Sequence, residues 1–442
     1  MPTLDQEELG EQTARLLSEL IRLNTVNPPG DERPAQELLA ELLSSAGFEC
    51  ELLGAEQQRP NLIARLRGSA DGPTLGLLGH TDTVLANATE WTHDPWSGDV
   101  ADGFLWGRGA LDMKSQVAAE AVAGAALARA GWRPAQGELL ILAVVDEETG
   151  GALGARWLTS QHPERVRCDM LINEGAGQAF SYGGRRHYGV CCAEKGVFRF
   201  TVTTRGVAAH ASMPRLGENA LLKMAPLLQR LRERTPSHVV TAEAAALLRA
   251  LGEQPQDPAG AVQRMRAEDP RLAAMLEPVL GVSLTPTKIS ASEKINVIPS
   301  AAQLQVDCRV PPGLGEAEVR AAIAEVLGDE REDGFEVEFT ERISGNSSPA
   351  SSPLMDAISD WIAEHDPGAS VAPTVMPGFT DSRHFRAAFP ECVAYGFFPQ
   401  RHQELADGWS LMHAADERID IRDLGFATQS YSDLAIRLLG SA

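Results

Sequence analysis

Three apolar segments that each lead straight into acidic or imidazole side chains constrain the fold of this chain most. Each segment has the composition of a strand, and helical segments lie between them. The segments and the side chains that follow them are Leu75–Leu78 with His80 and Asp82, Leu139–Val145 with Glu147 and Glu148, and Met170–Asn173 with Glu174. This alternation predicts an α/β fold with a central, mostly parallel sheet flanked by helices.

The position of these polar side chains predicts a binding site. In open α/β sheets, sites form beyond the carboxyl ends of the strands, and neighbouring carboxylates repel one another unless a cation lies among them. His80 and Asp82 face the same way on an extended backbone, so the imidazole is free to bind a metal while the carboxylate orients it. Taken singly, a loop histidine and a solvated acidic turn at 146–148 are ordinary alternatives. Their common placement at one sheet edge favours a metal site.

The pattern of apolar residues changes about midway along the chain, which marks a second domain. Val197–Arg205 alternates apolar and polar side chains like a half-exposed antiparallel strand, and a helix, two strands, a helix and a strand follow. This order predicts an α+β lid of the ferredoxin-like β-α-β-β-α-β type. We therefore assign 196–345 to an inserted lid, and 1–195 with 346–442 to the catalytic domain. The segment 237–281 is far longer than an ordinary loop and predicts an extra helical insertion.

The charge and cysteine content of the chain indicate its partners and its compartment. The net charge is -22, so the protein's field repels nucleic acid and anionic membrane surfaces. No apolar run has the length of a membrane span, and the first residues lack the features of a signal peptide. Six cysteines without a C-x-x-C spacing do not form a disulfide framework in a chain of 442 residues. Together these features predict a cytoplasmic protein.

Six motifs follow one another in a fixed order along the chain. They are Gly79–Asp82, Gly107–Lys114, Asp146–Glu148, Gly206–His210, Asn296–Pro299 and His413. In this order they resemble the co-catalytic metallopeptidase family that includes aminoacylase, acetylornithine deacetylase, succinyl-diaminopimelate desuccinylase and glutamate carboxypeptidase. The resemblance covers nearly the whole chain. Within the family, the segment Thr380–Arg383 is similar to the aminoacylase and yeast-type carboxypeptidase branch.

The resemblance implies a site for two metal ions with five protein ligands. His80 and Glu174 would bind one ion, and Asp112 would bridge it to the second. Glu148 and His413 would complete the second site. Two imidazoles and three carboxylates suit zinc, with cobalt or manganese as substitutes. From its position before a predicted helix alone, Asp112 is also a candidate for a plain N-cap.

The resemblance also assigns roles in the chemistry. It implies that Asp82 orients His80 and that Glu147 is the general base for an attacking water. It implies that His210, from the lid of the same chain or of a partner chain, helps to stabilise the tetrahedral oxyanion. From the residue pattern alone, His210 is an ordinary surface histidine.

Three further residues are implied to contact the substrate. Asn296 would act in the same region as His210, Gly378 would line the substrate site, and Arg309 would hold the substrate's carboxylate, which suits a guanidinium fork. An ordinary salt bridge at the end of a strand is the alternative for Arg309. A homodimer through the lid is usual in the family. The insertion at 237–281 departs from the compact lid of the smaller relatives and counts against such a dimer here.

The sequence therefore predicts a zinc-dependent amidohydrolase that cleaves an amide bond next to a free carboxylate. Its substrate would be a small molecule, either a short peptide, as for a carboxypeptidase or dipeptidase, or an N-acyl amino acid. One alternative is a biosynthetic deacylase of an N-succinyl or N-acetyl diamino acid. A non-catalytic descendant that binds a ligand or a metal is a second alternative, but such a protein has no need of a general base at Glu147.

Overall fold

The structure is a computed structural model that describes residues 4–234 and 237–441. The prediction that the first residues lack a signal peptide includes residues 1–3, which lie outside the described residues. The strands are β1 (Glu49–Leu53), β2 (Asn61–Arg67), β3 (Thr74–His80), β4 (Val100–Ala101), β5 (Phe104–Trp106), β6 (Glu138–Val144), β7 (Met170–Asn173), β8 (Gln178–Tyr182), β9 (Arg185–Glu194), β10 (Gly196–Val197), β11 (Phe200–Arg205), β12 (Ala209–His210), β13 (Ser283–Ser290), β14 (Val297–Ile298), β15 (Ala301–Val310), β16 (Phe335–Phe339), β17 (Ser370–Met376), β18 (Val393–Gly396), β19 (Gln400–Glu404) and β20 (Arg418–Asp420). The α-helices are α1 (Gln6–Arg22), α2 (Arg33–Ser45), α3 (Lys114–Arg129), α4 (Ala155–Gln161), α5 (Pro163–Val166), α6 (Ala220–Glu233), α7 (Ala242–Ala250), α8 (Pro258–Glu268), α9 (Pro270–Leu276), α10 (Glu316–Leu327), α11 (Pro353–His365), α12 (Ser382–Ala388), α13 (Leu405–Leu411) and α14 (Ile421–Leu439).

Within the described part of the chain, one sheet of ten strands forms the frame of the large domain. Its order is β1-β2-β6-β3-β7-β18-β9-β8-β19, with β17 beside β9. The central strands β6, β3, β7 and β18 are parallel to their neighbours in this group. The residues that follow these strands therefore meet at one edge of the sheet. The predicted α/β class with a mostly parallel central sheet is confirmed.

Helices cover both faces of this sheet. On one face, α1, α3 and α14 pack together, and α3 is composed largely of small residues that let it lie buried between its neighbours. Leu17 and Leu20 of α1 are fully buried, and each contributes roughly 1.5–3 kcal/mol through the removal of apolar surface from water. A Cβ on Gly10 would come within 3.2 Å of the Cα of Gly425, so glycines allow α1 and α14 to approach closely. On the other face, Leu158 of α4 and Phe385 of α12 are fully buried.

The small domain is an antiparallel sheet with helices packed on one face. Its strands lie in the order β13-β15-β11-β16, which is the order of a ferredoxin-like β-α-β-β-α-β unit. Buried and exposed residues alternate along β15. The alternation predicted for Val197–Arg205 is wrong, because β11 is a central strand between β15 and β16 and its residues from Phe200 to Thr204 are all buried. Apolar side chains of α6 and α10 close the core over the buried face.

The predicted insertion at 237–281 is helical, and its helices α7, α8 and α9 pack on the large domain. α7 lies against β17, and its Leu247 and Leu248 are fully buried in the core of the large sheet. The ammonium of Lys195 donates hydrogen bonds to the carbonyl oxygens of Pro278 and Gly281, both at 2.6 Å. The insertion therefore joins the apolar core of the large domain, although it lies within the sequence of the small one. Among the described residues, no helix is long and apolar enough to cross a membrane.

Candidate metal centre and active site

The first candidate metal site lies where β3 and β7 end. His80 is the last residue of β3, Glu174 follows β7, and Asp112 lies just before α3. The Nε2 atom of His80 is 3.1 Å from Oδ1 of Asp112 and 3.8 Å from Oε1 of Glu174. Each side chain offers one ligand atom, and these atoms lie within 4.8 Å of one another. The spacing suits one ion held by a nitrogen and two oxygens.

A second candidate site shares Asp112. The Nε2 atom of His413 is 3.1 Å from Oδ2 of Asp112 and 3.4 Å from Oε2 of Glu148, and the ligand atoms again lie within 4.8 Å of one another. The two oxygens of Asp112 thus face different histidines, Oδ1 toward His80 and Oδ2 toward His413. A carboxylate with this arrangement is suited to bridge two ions.

Two further observations agree with divalent ions at this position. Asp112 is not used as a helix cap, because the N-cap of α3 is Met113 and no side chain caps that helix. The Oε1 atom of Glu148 is buried and has no hydrogen-bond partner among the described residues, and a buried, unpartnered carboxylate oxygen is costly unless a cation binds it. The donor set of two imidazoles and three carboxylates fits two divalent ions.

Asp82 connects His80 to the loop that carries the two glutamates. The Nδ1 atom of His80 lies 3.0 Å from the carbonyl oxygen of Asp82 and 3.5 Å from its Oδ1, so either oxygen can accept its proton and leave Nε2 free for a metal. The Asp82 carboxylate accepts the backbone N–H groups of Glu147 and Glu148, both at 3.2 Å. It also accepts a hydrogen bond from Asn27 at 2.9 Å, which sequence reasoning missed because the two lie 55 residues apart.

The anionic surroundings raise the pKa of both histidines. For His80, burial opposes protonation, but hydrogen bonds with Asp112 and Asp82 and the charge of Glu174 raise the pKa well above its ordinary value. For His413, hydrogen bonds with Asp112 and then with Glu148 raise the pKa to about 10. Protons and metal ions compete for the same nitrogen lone pairs, so a cation that binds here displaces protons.

Comparison with known proteins identifies the family. Residues 76–437 match the model described as peptidase family M20/M25/M40. The chain belongs to this family. A succinyl-diaminopimelate desuccinylase of Cereibacter sphaeroides is 28% identical to this M20 family member over 422 residues, which cover 92% of this chain and 94% of the relative.

Solved structures of the M20 family share the fold. The M20 family metallo-carboxypeptidase Sso-CP2 from Sulfolobus solfataricus aligns with a TM-score of 0.72 at 16% identity, covering 97% of this chain and 99% of that chain. The YXEP protein of Bacillus subtilis, described as a dinuclear metal binding peptidase, aligns with a TM-score of 0.62 at 16% identity, covering 99% of this chain and 100% of that chain.

In this M20 family member, Glu147 lies beside the metal-ligand candidates without belonging to either group. It begins the short 3-10 turn Glu147–Thr149 and borders the same cavity as Glu148 and Glu174. Burial, and then the charge of Glu174, raise the pKa of Glu147 well above its ordinary value. Burial, and then the charge of Asp112, do the same for Glu174. A cation among these carboxylates would relieve their mutual repulsion.

A cavity of about 630 Å³ opens over both candidate metal sites, and residues of both domains line it. Arg309 and Arg199 of the small domain and Gly378 of the large domain are among these residues. The Nε atom of Arg309 also donates to Asp307 at 2.7 Å. Arg309 therefore forms the salt bridge of one sequence-based interpretation and also lines the cavity, while its contact with a substrate carboxylate stays a prediction.

His210 and Asn296 lie together but apart from the cavity. Neither is among the described residues that line it. β12, which ends at His210, pairs with β14, and the N–H of Ala211 donates to the carbonyl oxygen of Asn296 at 3.0 Å. The exposed imidazole of His210 contacts the hydroxyl of Ser212 at 2.7 Å. The structure thus brings the five metal-ligand candidates together within one chain but does not bring His210 to them.

Sequence reasoning also missed a buried ion pair beneath Asp112. Glu417 is fully buried, pairs with Arg108, and accepts the backbone N–H groups of Leu111 and Asp112 at 2.7 and 3.1 Å. Arg108 also donates to the carbonyl oxygen of Ala414 at 3.1 Å. The pair therefore fixes the segment that carries Asp112 against the loop after His413. In the sequence, Glu417 is one more acid in an acidic stretch.

Proposed function

We propose that this chain is a hydrolase that uses two metal ions to cleave an amide bond next to a free carboxylate in a short peptide or an N-acyl amino acid. The observation that carries the proposal is Asp112, whose two oxygens lie 3.1 Å from His80 and 3.1 Å from His413 at the base of a cavity. Glu148 and Glu174 complete one group each. Membership of a peptidase family supports the reaction class.

Zinc is the proposed metal, with cobalt or manganese as substitutes, because imidazole and carboxylate ligands suit these ions. When bound, such ions would polarise the scissile carbonyl and acidify the attacking water. The proposed ligands are His80, Asp112 and Glu174 for one ion and Asp112, Glu148 and His413 for the other. Asp82 would hold the tautomer of His80 through its contacts with Nδ1.

The proton transfers are assigned to Glu147. Its carboxylate would take a proton from the attacking water and then give it to the leaving nitrogen. The backbone N–H of Glu147 donates to Asp82, so the residue that orients His80 also fixes the position of the base. Asp82 therefore fixes the position of Glu147 relative to the first candidate metal site.

Stabilisation of the oxyanion is assigned to His210 with Asn296 nearby, which requires either closure of the small domain or the lid of a partner chain. Exposed apolar side chains near His210 support the second route: Leu216, in a turn that contacts β12, is 70% exposed, and Val297, the partner of His210 in β14, is 37% exposed. A homodimer through the lid therefore remains part of the proposal.

A cytoplasmic location is also part of the proposal, since all six cysteines are free thiols.

A biosynthetic deacylase that acts on a substrate with a second carboxylate is the other candidate function. Besides Arg309 and Arg199, a third guanidinium, that of Arg383, lines the cavity. Arg383 lies over the ring of Phe379 at 4.3 Å and its Nε donates to Nε2 of His384 at 3.3 Å, but no carboxylate among the described residues forms an ion pair with it. An anionic acyl group, such as succinyl, would supply that partner. The desuccinylase relative supports this candidate.

A substrate screen tests both candidates. Purified protein supplied with zinc or cobalt would be assayed on dipeptides, N-acetyl amino acids and N-succinyl diamino acids, with metal content measured in parallel. We expect hydrolysis of at least one class and reversible loss of activity on chelation. Protein without metal whose activity a chelator does not affect would contradict the proposal.

Replacing Arg309 with alanine is expected mainly to raise KM for substrates with a free carboxylate. Its guanidinium would anchor the ground state and the transition state alike, so kcat should change less. The measurement compares a free-acid substrate with its carboxamide analogue. Arg309→Lys, which keeps the charge but loses the fork, is the matched control and should retain part of the preference. An undiminished preference for the acid in Arg309→Ala would remove Arg309 from the substrate site.

Replacing Glu417 with glutamine is expected to weaken metal binding by about 10–100-fold, because residues that support metal ligands have effects of this size. The change keeps the shape but removes the charge that holds Arg108 and the amide of Asp112. Metal affinity would be measured by competition with a chelator. Glu194→Gln is the control, since Glu194 is equally buried and paired with Arg386 at 3.1 Å. Equal metal affinities in the two variants would show that Glu417 only stabilises the fold.

A further inference from the structure

Two glutamines on neighbouring strands are buried in the wall of the large domain. β8 and β19 are parallel, and their register places Gln400 opposite Gln178. Paired residues of adjacent strands point to the same face of a sheet. Gln178 is 4% exposed and Gln400 is fully buried. Their side-chain amides therefore lie side by side in the interior of the protein.

Neither amide is satisfied. The Oε1 atom of Gln178 and both the Oε1 and Nε2 atoms of Gln400 are buried without a hydrogen-bond partner among the described residues. Such groups are normally paired, because an unpaired buried amide loses its hydrogen bonds to water without replacement. Gln403 on the same strand shows the ordinary case, since it donates to Arg418 at 3.2 Å and accepts from Asp420 at 3.4 Å.

Gln178 belongs to the wall of the cavity above the candidate metal sites, together with Ala176, Phe398 and Trp409. These residues form a continuous surface. The N–H of Phe398 donates to the carbonyl oxygen of Ala176 at 2.8 Å, and a Cβ on Gly408, next to Trp409, would lie 3.8 Å from Cγ of Gln178. The unpaired amide of Gln178 is thus the polar point in a largely apolar wall.

We propose that Gln178 forms a subsite that binds an uncharged hydrogen-bonding group on the substrate side chain, namely a carboxamide, with Gln400 as its positioning residue. A carboxamide matches a glutamine because each offers one acceptor and a donor. The two amides form no hydrogen bond in the ligand-free protein, and Gln400 does not line the cavity, so its role is to bond to the Gln178 amide and fix its orientation when a substrate is bound. The inference deepens the proposed function and rests on it.

Unfolding of the ligand-free protein gives the first test. Gln400→Leu should leave the midpoint of thermal unfolding unchanged or raise it, because it replaces an unpaired buried amide with an apolar group. Gln403→Leu is the matched control and should lower the midpoint, because it breaks two hydrogen bonds. A decrease for Gln400→Leu as large as that for Gln403→Leu would show that its amide is already paired, and would overturn the proposal.

Discrimination between substrates gives the second test. The wild-type enzyme would be assayed on Ala–Gln against Ala–Leu and on Gln–Ala against Leu–Ala. In one of the two pairs we expect kcat/KM to favour the glutamine substrate by roughly tenfold or more, since a site built for a hydrogen bond rejects an apolar analogue. Gln178→Leu should abolish this preference, Gln400→Leu should reduce it, and the double variant should match Gln178→Leu. Gln403→Leu should preserve it.

The outcomes separate the subsite from the proposed function. Cleavage of the leucine peptides without any preference for glutamine would overturn the subsite and leave the proposed function intact. If no peptide or acyl amino acid is cleaved, the proposed function fails. In that case, calorimetry would measure the binding of the same peptides to the wild-type protein and to Gln178→Leu. Equal affinities of the two proteins for the glutamine peptides would overturn the subsite.

Discussion

Replacing Glu147 with alanine is expected to lower kcat by roughly 10²–10⁴-fold, the usual contribution of a general base, while the protein keeps both metal ions. The reason is positional. Glu147 lines the cavity beside Glu148 and Glu174 but belongs to neither group of candidate ligands. The measurement combines single-turnover rates with elemental analysis of the same sample, so that loss of rate and loss of metal are read separately.

Glu148→Ala is the matched control, because it removes the neighbouring carboxylate. That variant should lose occupancy of the site shared with His413, whereas Glu147→Ala should not. Near-normal turnover in Glu147→Ala would show that another group moves the proton. Loss of metal in both variants would instead make Glu147 a ligand and require a different base.

Replacing Asp112 with alanine is expected to have the other large effect, the loss of both metal ions and of all measurable hydrolysis. Each of its oxygens faces a different histidine at 3.1 Å, so one substitution removes a ligand from both groups. Metal content after dialysis against a weak chelator would be measured together with activity over a range of added zinc. Added zinc should not restore the wild-type rate, because the bridging carboxylate is missing.

His80→Ala tests whether Asp112 bridges. It removes a ligand from one group only, so it should release one ion while the site of Glu148 and His413 stays occupied. The bridging role therefore predicts a difference in stoichiometry between the two variants. An Asp112→Ala protein that retains one ion with unchanged affinity would contradict the bridge and assign Asp112 to a single site.

Local sequence patterns were sufficient to predict much of the fold. β3 lies where the run Leu75–Leu78 predicts a strand, and β7 has the predicted bounds Met170–Asn173, because apolar periodicity and chain breakers act locally. The hairpin of β8 and β9 and the strand β17 were not predicted. β17 contains Pro373 and few strongly strand-forming residues, and it is ordered by pairing with β9.

The candidate site was predictable only in part, because several of its contacts depend on residues far apart in sequence. His80 and Glu174 follow strands and could be placed at one edge of a sheet. The support of Asp112 by Glu417 spans 305 residues, and nothing in either segment specifies the other. The same holds for the insertion, because helical periodicity in α7 predicts a buried face but not which core Leu247 and Leu248 will join.

The path of the insertion affects how the small domain can move relative to the large domain. The chain passes between the two apolar cores four times: after β9, between α6 and α7, between α9 and β13, and after β16. Two bodies joined by only two crossings share one hinge line and can swing about it. The additional pair lies beside the first crossing, because Lys195, which follows β9, donates to the carbonyl oxygens of Pro278 and Gly281. Rotation of the small domain must therefore bend four connections instead of two.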